Sequence, residues 1–205
     1  MYRLILFTTF LLLISCMHNN TTVILQVPGS DRCCEINPDG ENIIPSGRII
    51  KPYGNFVRIK PDPFGLALSP DGTIALAVHN NLLTIIKTGD NSTEVLASPF
   101  QGKGSYMGAA IKSDNRTAFL SGGDSGDILT VDLADPERFS RFSINGFSSG
   151  KNYDDSFVGD IKLSDDETQL FILDQFNFRL AIMDISLMKV IRSIPVGRFP
   201  LGIDI

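Results

Sequence analysis

Pro63-Phe64-Gly65-Leu66-Ala67-Leu68-Ser69-Pro70-Asp71-Gly72 decides how this chain is read, because its pattern returns three times. The second copy is Tyr106-Met107-Gly108-Ala109-Ala110-Ile111-Lys112-Ser113-Asp114-Asn115, and the third is Phe157-Val158-Gly159-Asp160-Ile161-Lys162-Leu163-Ser164-Asp165-Asp166. A fourth opens at Pro200-Leu201-Gly202-Ile203-Asp204-Ile205, so the glycines fall 43, 51 and 43 residues apart. In the first copy Phe64 to Ser69 alternates apolar and small residues, Pro70-Asp71-Gly72 supplies turn chemistry, and Thr73 to Val78 is a second apolar run. His79-Asn80-Asn81 turns the chain again before Leu82 to Ile86, and Gly89-Asp90-Asn91 turns it before Thr93 to Leu96. The third copy keeps the order in Phe157 to Leu163, Gln169 to Leu173, Arg179 to Asp184 and Val190 to Val196.

Four short strands in a period in the low forties are the signature of a β-propeller blade. No helical periodicity competes outside the N-terminus, and β-branched and aromatic residues dominate the runs. The expected fold is therefore all-β: a propeller of four-stranded blades, incomplete at about three and a half, with repeats starting near Pro63, Tyr106, Phe157 and Pro200. The polar stretch Phe147 to Ser156 lengthens the second period and reads as a loop inserted on one face of a blade.

Residues 1–16 have another character. Arg3 is followed by an almost unbroken apolar stretch from Leu4 to Ile14, too short to span a bilayer and of signal-peptide length. It ends at Leu13-Ile14-Ser15-Cys16, which resembles a bacterial lipobox and implies lipidation of Cys16. An ordinary cleaved signal containing a cysteine is the other reading. A lipidated Cys16 holds the domain at a membrane surface, and the expected location is the bacterial cell envelope, as a periplasmic or outer-membrane lipoprotein. Residues 17–42 read as a polar tether with one short strand at Val23 to Val27, and residues 43–205 as the partial propeller. Asn20, Asn91 and Asn115 begin glycosylation sequons, which matter only in a eukaryotic secretory route.

Eighteen basic against 23 acidic residues give a net charge of −5, so there is no basic field for nucleic acid. Cys33 and Cys34 are adjacent, a pair too strained to bridge itself, and no Cys/His spacing suits zinc. They read as a linker feature, with redox or intermolecular pairing as the alternative. His18 and His79 are the only histidines, too few for a Ser/His/Asp constellation or a histidine metal centre. No cofactor is expected.

Lys189-Val190-Ile191-Arg192-Ser193-Ile194-Pro195-Val196-Gly197-Arg198-Phe199-Pro200-Leu201-Gly202-Ile203 resembles the linker and strand of YVTN-type, forty-residue-repeat bacterial propellers. Leu180-Ala181-Ile182-Met183-Asp184 and Ile128-Leu129-Thr130-Val131-Asp132 resemble that repeat's third strand, and Ser69-Pro70-Asp71-Gly72 its first turn. Ile44-Pro45-Ser46-Gly47-Arg48, Lys51-Pro52-Tyr53-Gly54 and Asp174-Gln175-Phe176-Asn177-Phe178-Arg179 resemble the N-terminal propeller of two-part bacterial proteins, where it precedes a phosphoesterase domain of the alkaline phosphatase superfamily. The resemblance implies that metal ligands and the nucleophile of such a domain lie beyond Ile205, so none is carried onto this chain. A closed ring takes four to eight blades. The expectation is accordingly a fragment of a longer protein, or else a half-ring completed by dimerisation through the open blade edge at Pro200 to Ile205. Phe56 to Ile59 is expected as the outermost strand of the closing blade.

Asp71, Asp114 and Asp165 fall at the first turn of each repeat, where a carboxylate caps backbone N–H groups. His79, Asp124, Asp174, Asn177 and Arg179 sit at or beside the turn after the second strand and are the candidate ligand-face residues. Arg179 suits a carboxylate or anionic ligand, or a solvated salt bridge. Asp154 and Asp155 do not by themselves make a calcium site, and Gly122-Gly123 with Gly126 joins strand to strand where a phosphate loop needs a helix. Function thus reads as a binding or scaffold module facing an unknown ligand or protein, with a propeller phosphoesterase fragment and a lactonase-like metal hydrolase as alternatives.

Overall fold

The computed structural model describes residues 26–205 apart from residues 30, 33, 38, 39, 52, 55, 81 and 98–106. Cys16, Cys33, Tyr106 and the Val23 to Leu25 part of the expected tether strand lie outside the described residues; Cys34 is exposed and carries no disulfide. The chain divides into two compact units, Met1–Phe56 and Val57–Ile205. In the first, β1 (Asn42–Ile43) pairs antiparallel with β2 (Ile49–Ile50), and Glu35 bridges to Ile43, whose side chain is buried.

The second unit is built from three four-stranded antiparallel sheets in chain order. The first is β3 (Pro63–Leu68), β4 (Ile74–His79), β5 (Leu82–Lys87) and β6 (Ser92–Ala97). The second is β7 (Ala109–Ile111), β8 (Thr117–Ser121), β9 (Asp127–Asp132) and β10 (Asp135–Ser143). The stretch expected as an inserted loop forms a hairpin of β11 (Gly146–Ser148) and β12 (Lys151–Tyr153). The third sheet is β13 (Val158–Leu163), β14 (Gln169–Asp174), β15 (Arg179–Asp184) and β16 (Lys189–Pro195). Each sheet runs as a meander, neighbours in sequence being neighbours in space.

The middle strands are apolar on both sides because both sides are covered. Leu76, Val78, Leu83 and Ile85 of the first sheet pack against Ile111, Ala118, Leu120, Leu129 and Val131 of the second. The opposite side of the second sheet, with Phe119 and Ile128, packs against Ile161, Leu170, Ile172, Ala181 and Met183 of the third. Each fully buried Leu, Ile or Val contributes about 2 kcal/mol relative to exposure, so these two layers hold the sheets together.

The recurring glycine belongs to this stacking. A Cβ on Gly108 would lie 2.6 Å from the Gly159 carbonyl oxygen and 2.9 Å from the Ile161 nitrogen, and a Cβ on Gly65 would collide with the Met107 backbone. The innermost strands of successive sheets thus touch backbone to backbone at these positions, which no larger residue allows.

The turn after each innermost strand is closed by one carboxylate. Asp71 accepts from the Ser69 hydroxyl at 2.7 Å and the Thr73 N–H at 2.9 Å, and Asp114 from the Arg116 and Thr117 N–H groups at 2.8 and 2.7 Å. In the third sheet the role falls to Asp166, which accepts from the Ser164 hydroxyl at 2.7 Å and the Thr168 N–H at 3.1 Å. The expected Asp165 is one residue off, because the β13 bulge between Val158 and Ile161 shifts the count from the glycine. The turns also tie sheet to sheet: Asn115 donates to Asp71 at 2.6 Å, and the Ser113 N–H donates to Glu167 at 2.6 Å.

These bonds hold the turn carboxyls below the usual range. For Asp71 the Thr73 N–H is the main cause, and for Asp166 the Ser164 hydroxyl. For Asp114, partial burial opposes the shift and is outweighed by the Thr117 N–H and hydroxyl. A carboxyl depressed in the folded state contributes stability that is fully present above its unfolded pKa of about 3.9 and is lost as pH falls through the folded value. Asp71→Asn with Asp166→Asn is therefore expected to narrow the stability difference between pH 7 and pH 3, read by urea unfolding at both pH values. An unchanged difference contradicts this assignment.

Two segments depart from expectation. Phe56 to Ile59 forms no strand; Val57 and Ile59 instead pack on Ala75, Ala77 and Ile86, the side of the first sheet turned away from the second. On that side Leu66 and Leu68 remain 76% and 60% exposed, whereas their counterparts Ala109 and Ile111, and Ile161 and Leu163, are covered by the preceding sheet. Pro200 to Ile205, read as an innermost strand, forms no ladder, although the Ile203 N–H donates to Asp160 at 3.1 Å and Lys162 lies 3.6 Å from Asp204.

Candidate functional site

The turn joining the second and third strands lies at the same end of each sheet, and every candidate ligand-face residue lies in it or at the strand end beside it. In the first sheet His79 is only 2% exposed. Its Nδ1 lies 2.8 Å from the Pro61 carbonyl and its Nε2 3.0 Å from the Thr84 hydroxyl. A carbonyl only accepts, so Nδ1–H is the donor to Pro61, and Nε2 shares a hydrogen bond with the Thr84 hydroxyl. Both ring nitrogens are thus used within the first sheet and the chain leading into it.

In the second sheet Asp124 is exposed at its turn, while the neighbouring Asp127 is buried and pairs with Arg141 at 3.3 Å. The third sheet brings Asp174, Asn177 and Arg179 together. Asp174 is 0% and Arg179 1% exposed, and Arg179 Nε donates to Asp174 at 2.8 Å. The guanidinium also donates to the Ser193 hydroxyl at 2.9 Å, the Ile144 carbonyl at 2.8 Å and the Ser156 hydroxyl at 3.2 Å. Its plane lies over the Tyr153 ring, 3.7 Å from the centroid. Asp174 in turn accepts from the Ser156 hydroxyl at 2.7 Å, the Phe157 N–H at 3.2 Å and the Asn177 side chain at 3.0 Å.

Such a pair is costly to bury unless its remaining donors and acceptors are met, and here four of the five guanidinium N–H groups have partners. The solvated salt bridge expected for Arg179 is replaced by a buried one because the inserted hairpin folds over it: Tyr153 stacks, Ser148 hydrogen-bonds Ser193, and the Ser149 hydroxyl accepts from the Ser193 N–H at 2.8 Å. The network therefore joins the end of β10, the hairpin and the third sheet. Asn177, half-buried, reaches the Asp154 carbonyl at 3.0 Å. Toward solvent this end of the third sheet shows Phe176, 59% exposed and 5.1 Å from the Phe157 ring. Ser156, Ser193 and Tyr153 are members that the sequence reading did not single out; nothing in their local sequence distinguishes them. No group of three or more His, Cys, Asp or Glu side chains placed to hold a metal occurs among the described residues.

No family model matches the sequence, and no curated protein matches it. Solved structures do. The Swd1 β-propeller domain of Myceliophteria thermophila superposes with a TM-score of 0.57 at 15% identity, over 79% of this chain and 51% of that one. The three four-stranded sheets have the fold of an incomplete β-propeller. Kuenenia stuttgartiensis hydrazine synthase matches with a TM-score of 0.55 at 16% identity over 72% of this chain and 40% of that one. A nidogen/laminin complex matches with a TM-score of 0.53 at 12% identity over 65% and 47%. The propeller thus spans about half the length of the structures it matches, or less. The three sheets are its blades, and the Arg179 network links the second blade, the inserted hairpin and the third.

Proposed function

We propose that this propeller is the binding and scaffold module of an exported, lipid-anchored bacterial protein and carries no catalytic centre of its own. The observation that carries the reading is the use made of its most reactive groups. Asp174 and Arg179 are sealed from solvent and their polar atoms are spent on neighbours, and His79 is likewise enclosed. What the turn end offers to a partner is Asp124, Asn177 and the exposed ring of Phe176, a surface suited to recognition. The anchoring reading rests on the lipobox-like Leu13-Ile14-Ser15-Cys16. The resemblance of Ile44 to Arg48 and of Asp174 to Arg179 to two-part bacterial proteins supports a finer reading, in which the propeller serves a phosphoesterase domain by docking its partner or positioning its substrate.

Metabolic labelling with a fatty acid is expected to mark the wild-type chain and to leave Cys16→Ser unlabelled. Label retained by Cys16→Ser contradicts the anchor. Metal-dependent hydrolysis of a phosphoester or lactone by the 205-residue chain contradicts the non-catalytic reading.

A further inference from the structure

The first blade is open on the side turned away from the second, and what it leaves uncovered there is one strip. Blades stack in this chain through two residues of each innermost strand: Ala109 and Ile111 pack into the core shared with the first blade, and Ile161 and Leu163 into the core shared with the second. The matching positions of the first blade are Leu66 and Leu68, which follow Gly65 as Ala109 and Ile111 follow Gly108. They are 76% and 60% exposed. Register sets them opposite Ala77 and Ala75 on the same side of the sheet, and those two, with Ile86, are already covered by Val57 and Ile59. The apolar surface left open is therefore that of the innermost strand alone, a width that one further strand covers.

A strand without a neighbour stands at the other end of the repeat series. Pro200 to Ile205 copies the innermost-strand pattern and is tied to the third blade by the Ile203 N–H on Asp160 and by Lys162 beside Asp204. A Cβ on Gly65 or Gly108 would strike the backbone of the following innermost strand, whereas among the described residues a Cβ on Gly202 would meet only Asp160 Oδ2, at 3.9 Å. Leu201 and Ile205 are 62% and 63% exposed. The same junction thus occurs twice in full and once as two separated halves: among the described residues Gly202 meets no following strand, and Leu66 and Leu68 meet no preceding one.

We propose that a second copy of this chain joins the halves. Pro200 to Ile205 of one copy lies along Pro63 to Leu68 of the other, and two such junctions close one ring. Continuity favours this occupant, because the contact repeats the stacking interface already built twice within the chain. Each copy carries both halves, so the pairing is head to tail and is complete only when the ring closes. Length fits as well: the chain spans 51% of the Swd1 propeller and 40% of the hydrazine synthase chain, and three blades from each of two copies fall within the four to eight of closed rings. The pairing rests on the propeller fold and is independent of the export and anchoring reading.

Sedimentation equilibrium of the full chain over a range of concentrations is the test, and the mass of two chains is expected. Leu66→Glu with Leu68→Glu is expected to weaken pairing at least tenfold while leaving the thermal midpoint of the dilute chain unchanged, since both side chains are exposed within one copy. Gly202→Leu is expected to weaken it as much from the opposite half of the junction. A single-chain mass at every concentration overturns the proposal, as do a dimer that either variant keeps and an assembly that grows past two copies.

Discussion

Arg179→Met is expected to lower the unfolding free energy by about 4 kcal/mol, the cost of leaving a buried charge without its partner. Asp174 would remain 0% exposed and still surrounded by the Ser156 and Asn177 donors, but with no cation beside it. The same change removes the donors to the Ile144 carbonyl and Ser193 and the cation over Tyr153, so the inserted hairpin should loosen with the third blade. Urea unfolding followed by circular dichroism reads the effect. Adding Asp174→Leu to Arg179→Met should recover part of the loss, because the pair is then gone as a unit. A loss under about 1 kcal/mol, the range of exposed pairs, would mean that the pair is solvated.

Gly108→Ala is the second large effect, about 3 kcal/mol of destabilisation from overpacking. The new methyl would meet the Gly159 carbonyl oxygen and the Ile161 nitrogen, and both are backbone that cannot swing aside. Gly89→Ala is the control. Nothing lies within 4 Å of a Cβ there, so the change should leave stability within about 0.5 kcal/mol or raise it slightly by restricting the unfolded chain. Equal effects at the two positions would mean that the innermost strands do not approach as closely as the glycine spacing requires.

Much of the architecture was legible because it is local and repeated. The alternating runs placed all four strands of the first and third blades within a residue or two of where they lie, and the glycine at 65, 108 and 159 marked the innermost strands. The chemistry was less legible, for physical reasons. Arg179 reads as a surface residue in its own segment. What buries it comes from Ile144, Tyr153, Ser156 and Ser193, held in place by a hairpin whose polar sequence has no alternation to announce it. His79 and Asp174 likewise look available until the atoms that consume them are brought in from Pro61, Thr84 and Phe157. The turn carboxylate of the third blade was misplaced to Asp165 because a bulge adds one residue and a second aspartate stands next to it.

The central claim is that three sheets stack as successive blades through shared cores and act as one scaffold. Amide hydrogen exchange on the wild-type chain and on Gly108→Ala tests it most directly. Gly108 lies where the second blade meets the third, so stacking predicts that the slowest amides of β4, β5, β8, β9, β14 and β15 all accelerate together by a similar factor. Acceleration confined to the second sheet, with the first and third unchanged, would contradict it.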